Sequence, residues 1–299
     1  MIDFHRVTLE DKTWIEEKLR HNKNRSCEYS FGNIFGYDAK MEIYVGEYEG
    51  CLVTKCVIAD NYISYCCPVG NGNVIKALDA VVREAEKNNV YCDIFGMDKE
   101  TAEAFHQKYA GKYEAIADRD SYDYVYLSTD LISLTGKKYQ PKRNHISYFM
   151  RNFNWVYEKI TAENIPDCIQ MSRRWLEEST SEFKDDLEDE LKIIKRVFEN
   201  YDALGFVGGL LRVDGEVVAY TMGEPLSDVM FCVHFEKAFA DIRGAYPMIN
   251  QQFVEHECRD YQYVNREEDT GAEGLRKAKL SYRPVFLVEK GTVTEKSAV

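Results

Sequence analysis

The same order of hydrophobic patterns runs along this chain twice, and that repetition limits the folds open to it more than any single motif does. In the first pass, Thr8 opens TLEDKTWIEEKL, where Trp14, Ile15 and Leu19 fall at helical spacing behind a capping threonine. Residues 41–47 and 51–59 alternate as paired strands around Glu49-Gly50, and 62–66 supplies a third strand. Gly70-Asn71-Gly72 then leads into 74–89, whose Val74, Leu78, Val81, Val82 and Ala85 line one helical face. A strand at 90–95, a helix at 100–109 and an alternating strand at 122–127 close the pass. The aromatic-rich stretch 27–37 fits no single element.

In the second pass, Thr161 begins a helix with Ile165, Ile169 and Trp175 inward, and a further helix carries Leu187, Leu191, Ile194 and Phe198 at the same spacing. Residues 205–213 and 216–222 form a hairpin around Asp214-Gly215, followed by a strand at 229–235 and a helix at 244–258. Residues 261–290 then read as strand, charged turn, short helix and strand, with Leu275 and Lys279 on one face of the helix at 271–280. The repetition predicts an α+β architecture of two duplicated domains, each a mixed sheet flanked by helices. Residues 1–135 form the first domain and 136–299 the second, the divide lying near 131–140.

Composition narrows the class. With 299 residues, 45% of them apolar, the chain can bury a core in each of two domains. No run approaches the roughly 18 apolar residues of a membrane helix, so no integral membrane segment is expected. The first residues include Asp3, His5, Arg6 and Glu10 where a signal peptide needs an apolar segment, which points to the cytoplasm. Nine cysteines, among them adjacent Cys66 and Cys67 but no C-x-x-C, read as buried free thiols. A formal net charge of −13 argues against non-specific nucleic-acid binding, which needs an excess of lysine and arginine. Much of the acid sits in runs such as 182–190, which suit the wet side of a helix.

Several groups in the second pass could move a proton, hold a phosphate or donate to a developing oxyanion. Along FCVHFEK, period two places Cys232, His234 and Glu236 on one face, so His234 or Glu236 can take a proton from an ammonium; ordinary packing fits them as well. Arg243-Gly244-Ala245-Tyr246-Pro247 enters the next helix, a place where free amides can face an anion and also a plain helix start. Arg266, Glu267, Glu268, Asp269, Arg276, Lys277 and Lys279 gather on the last connection as a polar site or a solvated loop. Between the passes, GKKYQPKRNH is a dense basic run in an acidic chain, and its Lys142 and Arg143 suit a phosphate-bearing ligand. The run at 137–151 is expected to line the cleft between the copies. Six histidines show no H-E-x-x-H spacing, so no metal is expected, and GFVGG is too strand-like for a phosphate loop.

Gly274, Leu275, Arg276, Lys279, Tyr282 and Pro284, together with KKYQPKRNH from Lys137, resemble the lysylphosphatidylglycerol synthase C-terminal domain family, a relative of the Fem-type peptidyltransferases. The resemblance runs through most of the chain and implies tandem GNAT-like (acyl-CoA N-acyltransferase) domains with the active cleft in the second. It implies an aminoacyl-tRNA donor whose phosphate or carbonyl oxygens meet Arg276 and Lys279, beside Arg243, Gly244, Ala245 and Tyr246. Tyr282 stands where acyltransferases often keep a leaving-group acid, and Lys142, Arg143, Arg266 and Asp269 are the substrate contacts. Coenzyme A is not expected. Acyltransferase loops that bind it usually read Gln or Arg, two residues, Gly, one residue, then Gly or Ala; here Arg243 is followed directly by Gly244, and GNG in the first copy lacks the basic residue. The expected activity is transfer of an activated acyl group to an amine. The alternatives are a non-catalytic tandem protein that holds a small anionic ligand or partner, and an acetyl-CoA-dependent N-acetyltransferase.

Overall fold

Each pass of the repeat builds most of one mixed sheet. The computed structural model describes residues 1–23, 25–59, 62–178 and 184–296. It divides into two units, Met1–Asp123 with Val288–Val299, and Tyr124–Leu287. In the first, the sheet runs His5–Arg6, Glu42–Tyr48, Cys51–Ala59, Tyr62–Cys66, Tyr91–Met97, Gly291–Glu295 and Tyr113–Ala117, with Val69–Gly70 paired aside to Cys51–Ala59. Tyr62–Cys66 and Tyr91–Met97 run parallel, joined through the helix Val74–Asn88. That helix starts where the Asn73 side chain accepts from the Lys76 amide and stops at left-handed Asn89. Its Leu78, Val81 and Ala85 pack with Val53, Tyr65, Ile94 and Val293 in the core of the unit.

The second sheet runs Phe286–Val288, Asp123–Leu127, Tyr263–Asn265, Met230–Ala238, Glu216–Ser227, Val207–Val213 and Trp155–Lys159. Here Met230–Ala238 and Tyr263–Asn265 are the parallel pair, and the helix Ala245–Glu257 makes the crossover. Hairpin, strand, helix and parallel strand therefore recur in the order that the sequence pattern predicts. Both hairpins turn through left-handed pairs, Glu49-Gly50 and Asp214-Gly215, which suit the right-handed twist of their strands. The helices Ile165–Glu178 and Lys184–Glu199 bury Cys168, Met171, Ile194 and Phe198; Glu182 and Phe183 of the acidic run lie outside the described residues.

The sequence pattern leaves several elements unassigned. Phe31–Tyr37 is a short helix capped by Ser30, and Gln140–Asn152 is a helix with a proline in its first turn. Tyr113–Ala117 and Trp155–Lys159 are edge strands. One inner strand of each sheet comes from distant sequence: Gly291–Glu295 in the first, and Asp123–Leu127, upstream of the 131–140 segment, in the second. All nine cysteines are buried free thiols. Among the described residues no helix is long and apolar enough to cross a membrane.

Candidate active site

The strand Met230–Ala238 carries both candidate bases, and a bulge separates them. Gly223 opposes Val233 while Met222 opposes Phe235, so His234 is an extra residue with no partner across the ladder. The expected common face is therefore broken. Phe231 and Glu236 both meet the helix Ala245–Glu257, through Phe253 and Asn250, whereas Lys237 on the opposite face reaches Glu190. His234 sits with Cys232, Glu224 and Glu267 instead, its ring stacked on Phe206.

On the Glu236 side, the Arg266 guanidinium donates to Glu236 at 2.8 Å and lies over the rings of Tyr282 and Tyr126, 4.8 and 5.7 Å from their centroids. Asn250 donates to the other Glu236 oxygen at 3.2 Å. The Lys142 ammonium stands 4.0 Å from the centre of the Tyr282 ring. Among the described residues, Arg266 Nη1 and Asn250 Oδ1 are buried without a hydrogen-bond partner, an arrangement that a bound polar group would satisfy. Burial holds the Tyr282 phenol well above its usual range, so it stays protonated.

Lys142 also borders a cavity of about 290 Å³ with His145, Arg243, Gly244, Tyr246 and Pro247. Gly244 is left-handed, and a Cβ there would lie 2.4 Å from the His145 carbonyl, so glycine lets the two helices approach. The helix start offers few amides. Ala245 donates to Ile242, and Pro247 has no N–H, which leaves Tyr246 alone among the first three residues. Arg243 lies over Tyr148, 4.4 Å from the ring centre.

Burial, and then the neighbouring Arg266 charge, pull the Lys142 ammonium down to about 8. A folded value below the unfolded one means a penalty on charged Lys142 that is fully present below pH 8 and fades as pH climbs towards 10.5. Lys142→Met is thus expected to raise Tm at pH 7 and to leave it unchanged near the upper end of that window. A difference in Tm that does not vary with pH would count against this account of Lys142.

The remaining expected residues brace one another. Arg276 grips Asp269 through two bonds of 2.8 and 2.7 Å, and Tyr124 and the Gly271 amide donate to the same carboxylate. Burial alone would raise the Asp269 carboxyl; these donors outweigh it and hold it well below the usual range. Leu275 and Lys279, one turn apart on the helix Glu273–Ser281, differ in burial. Leu275 is exposed, and Lys279 is buried with its ammonium donating to the carbonyls of Arg266, Glu267 and Glu268. Arg143 caps the preceding segment through the Leu134 and Gly136 carbonyls. The residues brought together around the Tyr282 ring are thus Lys142, Arg266 and, through Arg266, Glu236, and of these Lys142 also lines the cavity, while Arg143, Asp269, Arg276 and Lys279 hold their own loops. Asn250 and Tyr126 escaped sequence reasoning. Asn250 is followed directly by Gln251 and Gln252 in MINQQFV, so no sequence signal sets it apart.

Two mixed sheets, each with a helical crossover between its parallel strands, make this a tandem GNAT-like protein. It shares that fold with the tandem GNAT protein from the clavulanic acid biosynthesis pathway, at 10% identity over all of both chains and a TM-score of 0.54. The chain belongs to the phosphatidylglycerol lysyltransferase C-terminal family, which it matches over residues 20–292. A conserved protein of unknown function from Bacteroides thetaiotaomicron superposes with a TM-score of 0.92, 34% identical and covering 99% of this chain and 100% of that one. The C-terminal domain of a putative lysylphosphatidylglycerol synthetase from Agrobacterium fabrum has the same fold at 13% identity, TM-score 0.68, over 97% of this chain and 91% of that one. An uncharacterized protein of Mycoplasmoides gallisepticum is 24% identical over 186 residues, and the match spans 60% of this chain and 58% of that relative's length.

Proposed function

We propose that the chain is an aminoacyltransferase whose reacting groups are Lys142, Arg266 and Tyr282 of the second unit. The observation that carries this reading is the convergence of two cations on the Tyr282 ring, one of them with a buried N–H that has no partner. An incoming ammonium loses a proton to Lys142, the group in the cluster that exchanges one near neutrality. The amine attacks the ester carbonyl of the donor, and Arg266 Nη1 donates to the oxyanion that forms. As the carbon–oxygen ester bond breaks, the Tyr282 phenol protonates the departing oxygen, the resulting phenolate takes up the second proton of the attacking nitrogen, and the amide is left on the acceptor. Glu236 is occupied by Arg266 and Asn250 and orients the guanidinium. Phosphatidylglycerol, the acceptor in the family's name, would offer a hydroxyl in place of the amine and would meet the same groups.

The donor in this reading is an aminoacyl ester of tRNA. Coenzyme A needs backbone amides around its pyrophosphate, and the Ala245–Glu257 helix start offers little beyond the Tyr246 amide. Calorimetry is expected to give weak coenzyme A binding and measurable, salt-sensitive binding of a non-hydrolysable 3′-aminoacyl-adenosine mimic, weakened at least tenfold by Lys142→Ala. Micromolar coenzyme A binding, about −8 kcal/mol, would restore the acetyltransferase reading. Binding of neither would move the assignment to a non-catalytic tandem protein.

A further inference from the structure

The opposite face of the same strand holds a group of side chains that the transfer reaction does not use. The bulge at His234 turns the imidazole toward Cys232, and the two ligand atoms, Sγ and Nδ1, stand 3.7 Å apart. Glu267 arrives from the loop after Tyr263–Asn265 and places Oε1 2.7 Å from the same nitrogen. Glu224, on the neighbouring strand, faces the other ring nitrogen at 3.2 Å.

We propose that Cys232, His234 and Glu267 form a binding site for a zinc-type divalent cation, with Glu224 fixing the imidazole from behind. The three ligand atoms all lie within 4.8 Å of one another. Zinc bonds of about 2.3 Å to sulfur and about 2.0–2.1 Å to nitrogen put tetrahedral S and N ligands roughly 3.6 Å apart, which the Cys232–His234 pair already matches. The Glu267 oxygen sits at hydrogen-bond distance, and an ion would open it to roughly 3.3 Å by a small side-chain rotation. A thiolate, an imidazole and a carboxylate suit zinc better than calcium or magnesium, which favour sets made of oxygen. Glu224 supplies the carboxylate that metal-bound histidines commonly carry on their second nitrogen. With three protein ligands, one coordination position remains for water or a ligand.

The loop holds Glu267 ready for this. Its backbone is left-handed, an unfavourable region for glutamate, and the Lys279 ammonium pins it by bonding the carbonyls on both sides and its own. The Glu267 side chain is 21% exposed while that of His234 is 3% exposed, so an ion has a way in from the Glu267 side. Sequence spacing conceals the set because C-x-H is a strand period and Glu267 is brought in from 33 residues away.

The test uses the full chain, stripped with a chelator and titrated with Co(II) alone. The expected result is one equivalent bound, with visible d–d bands and a near-ultraviolet sulfur-to-cobalt band, both abolished by one equivalent of Zn(II). Cys232→Ser removes the sulfur band, Glu267→Gln weakens binding at least 100-fold, and Glu224→Gln weakens it about 10–100-fold while keeping the band. If Cys232→Ser does not fold, Glu267→Gln on the partly exposed side decides. Sub-stoichiometric binding, a sulfur band that survives Cys232→Ser, or unchanged affinity in Glu267→Gln overturns the proposal. None of these readouts depends on transferase activity.

Discussion

Arg266→Met is expected to destabilise the protein by about 3–5 kcal/mol at pH 7, because it strands the Glu236 carboxylate. In the native pair the Arg266 and Glu236 side chains are 10% and 14% exposed, so water replaces little of the lost partner. The tyrosine rings beneath the guanidinium lose their cation as well. The measurement is the free energy of urea unfolding. The double variant Arg266→Met with Glu236→Leu is expected to recover much of the loss, since a buried ion pair replaced whole by apolar groups is often neutral. A single variant that loses less than about 1 kcal/mol, or a double variant no better than the single one, would refute the pairing argument.

Lys279→Met is the second large effect, and it decides between two roles for this lysine. A cofactor ligand could be replaced with little change in stability and a selective loss of donor binding. The geometry assigns a structural role instead: a buried ammonium that satisfies three carbonyls in a loop where Glu267 and Thr270 are both left-handed. Leaving those carbonyls without a donor is expected to cost about 3 kcal/mol. Hydrogen exchange over residues 266–272 should accelerate at least tenfold relative to the Val74–Asn88 helix, which serves as an internal standard. Near-native exchange together with lost donor binding would return Lys279 to the ligand set.

The order of elements was legible because each long helix buries a regular stripe, as Val74–Asn88 and Lys184–Glu199 do, and each hairpin turns at a left-handed pair. Tyr113–Ala117 escaped because it buries only Tyr113 and so carries no alternation to read. The candidate site was half legible. Lys142, Arg266 and Glu236 could be named from charge and placement and Tyr282 from the family resemblance, but their grouping depends on elements far apart in sequence. One extra residue at position 234 moves Glu236 to the other face of the sheet, and no single-sequence signal announces a bulge. Arg276 and Asp269 look like ligands until Tyr124, 145 residues upstream, is seen to complete their network.

The interleaved strands bear on how the protein is made. Domains commonly fold in turn as they leave the ribosome, the earlier one first. Here Tyr91–Met97 and Tyr113–Ala117 have Gly291–Glu295 between them, so the first sheet cannot close until residues 291–295 have emerged. Through most of translation the nascent first unit presents unpaired strand edges, the kind of surface that invites wrong partners. The second sheet waits almost as long for its edge strand, because Phe286–Val288 pairs with Asp123–Leu127, so both sheets are completed by the same last stretch of chain to be made.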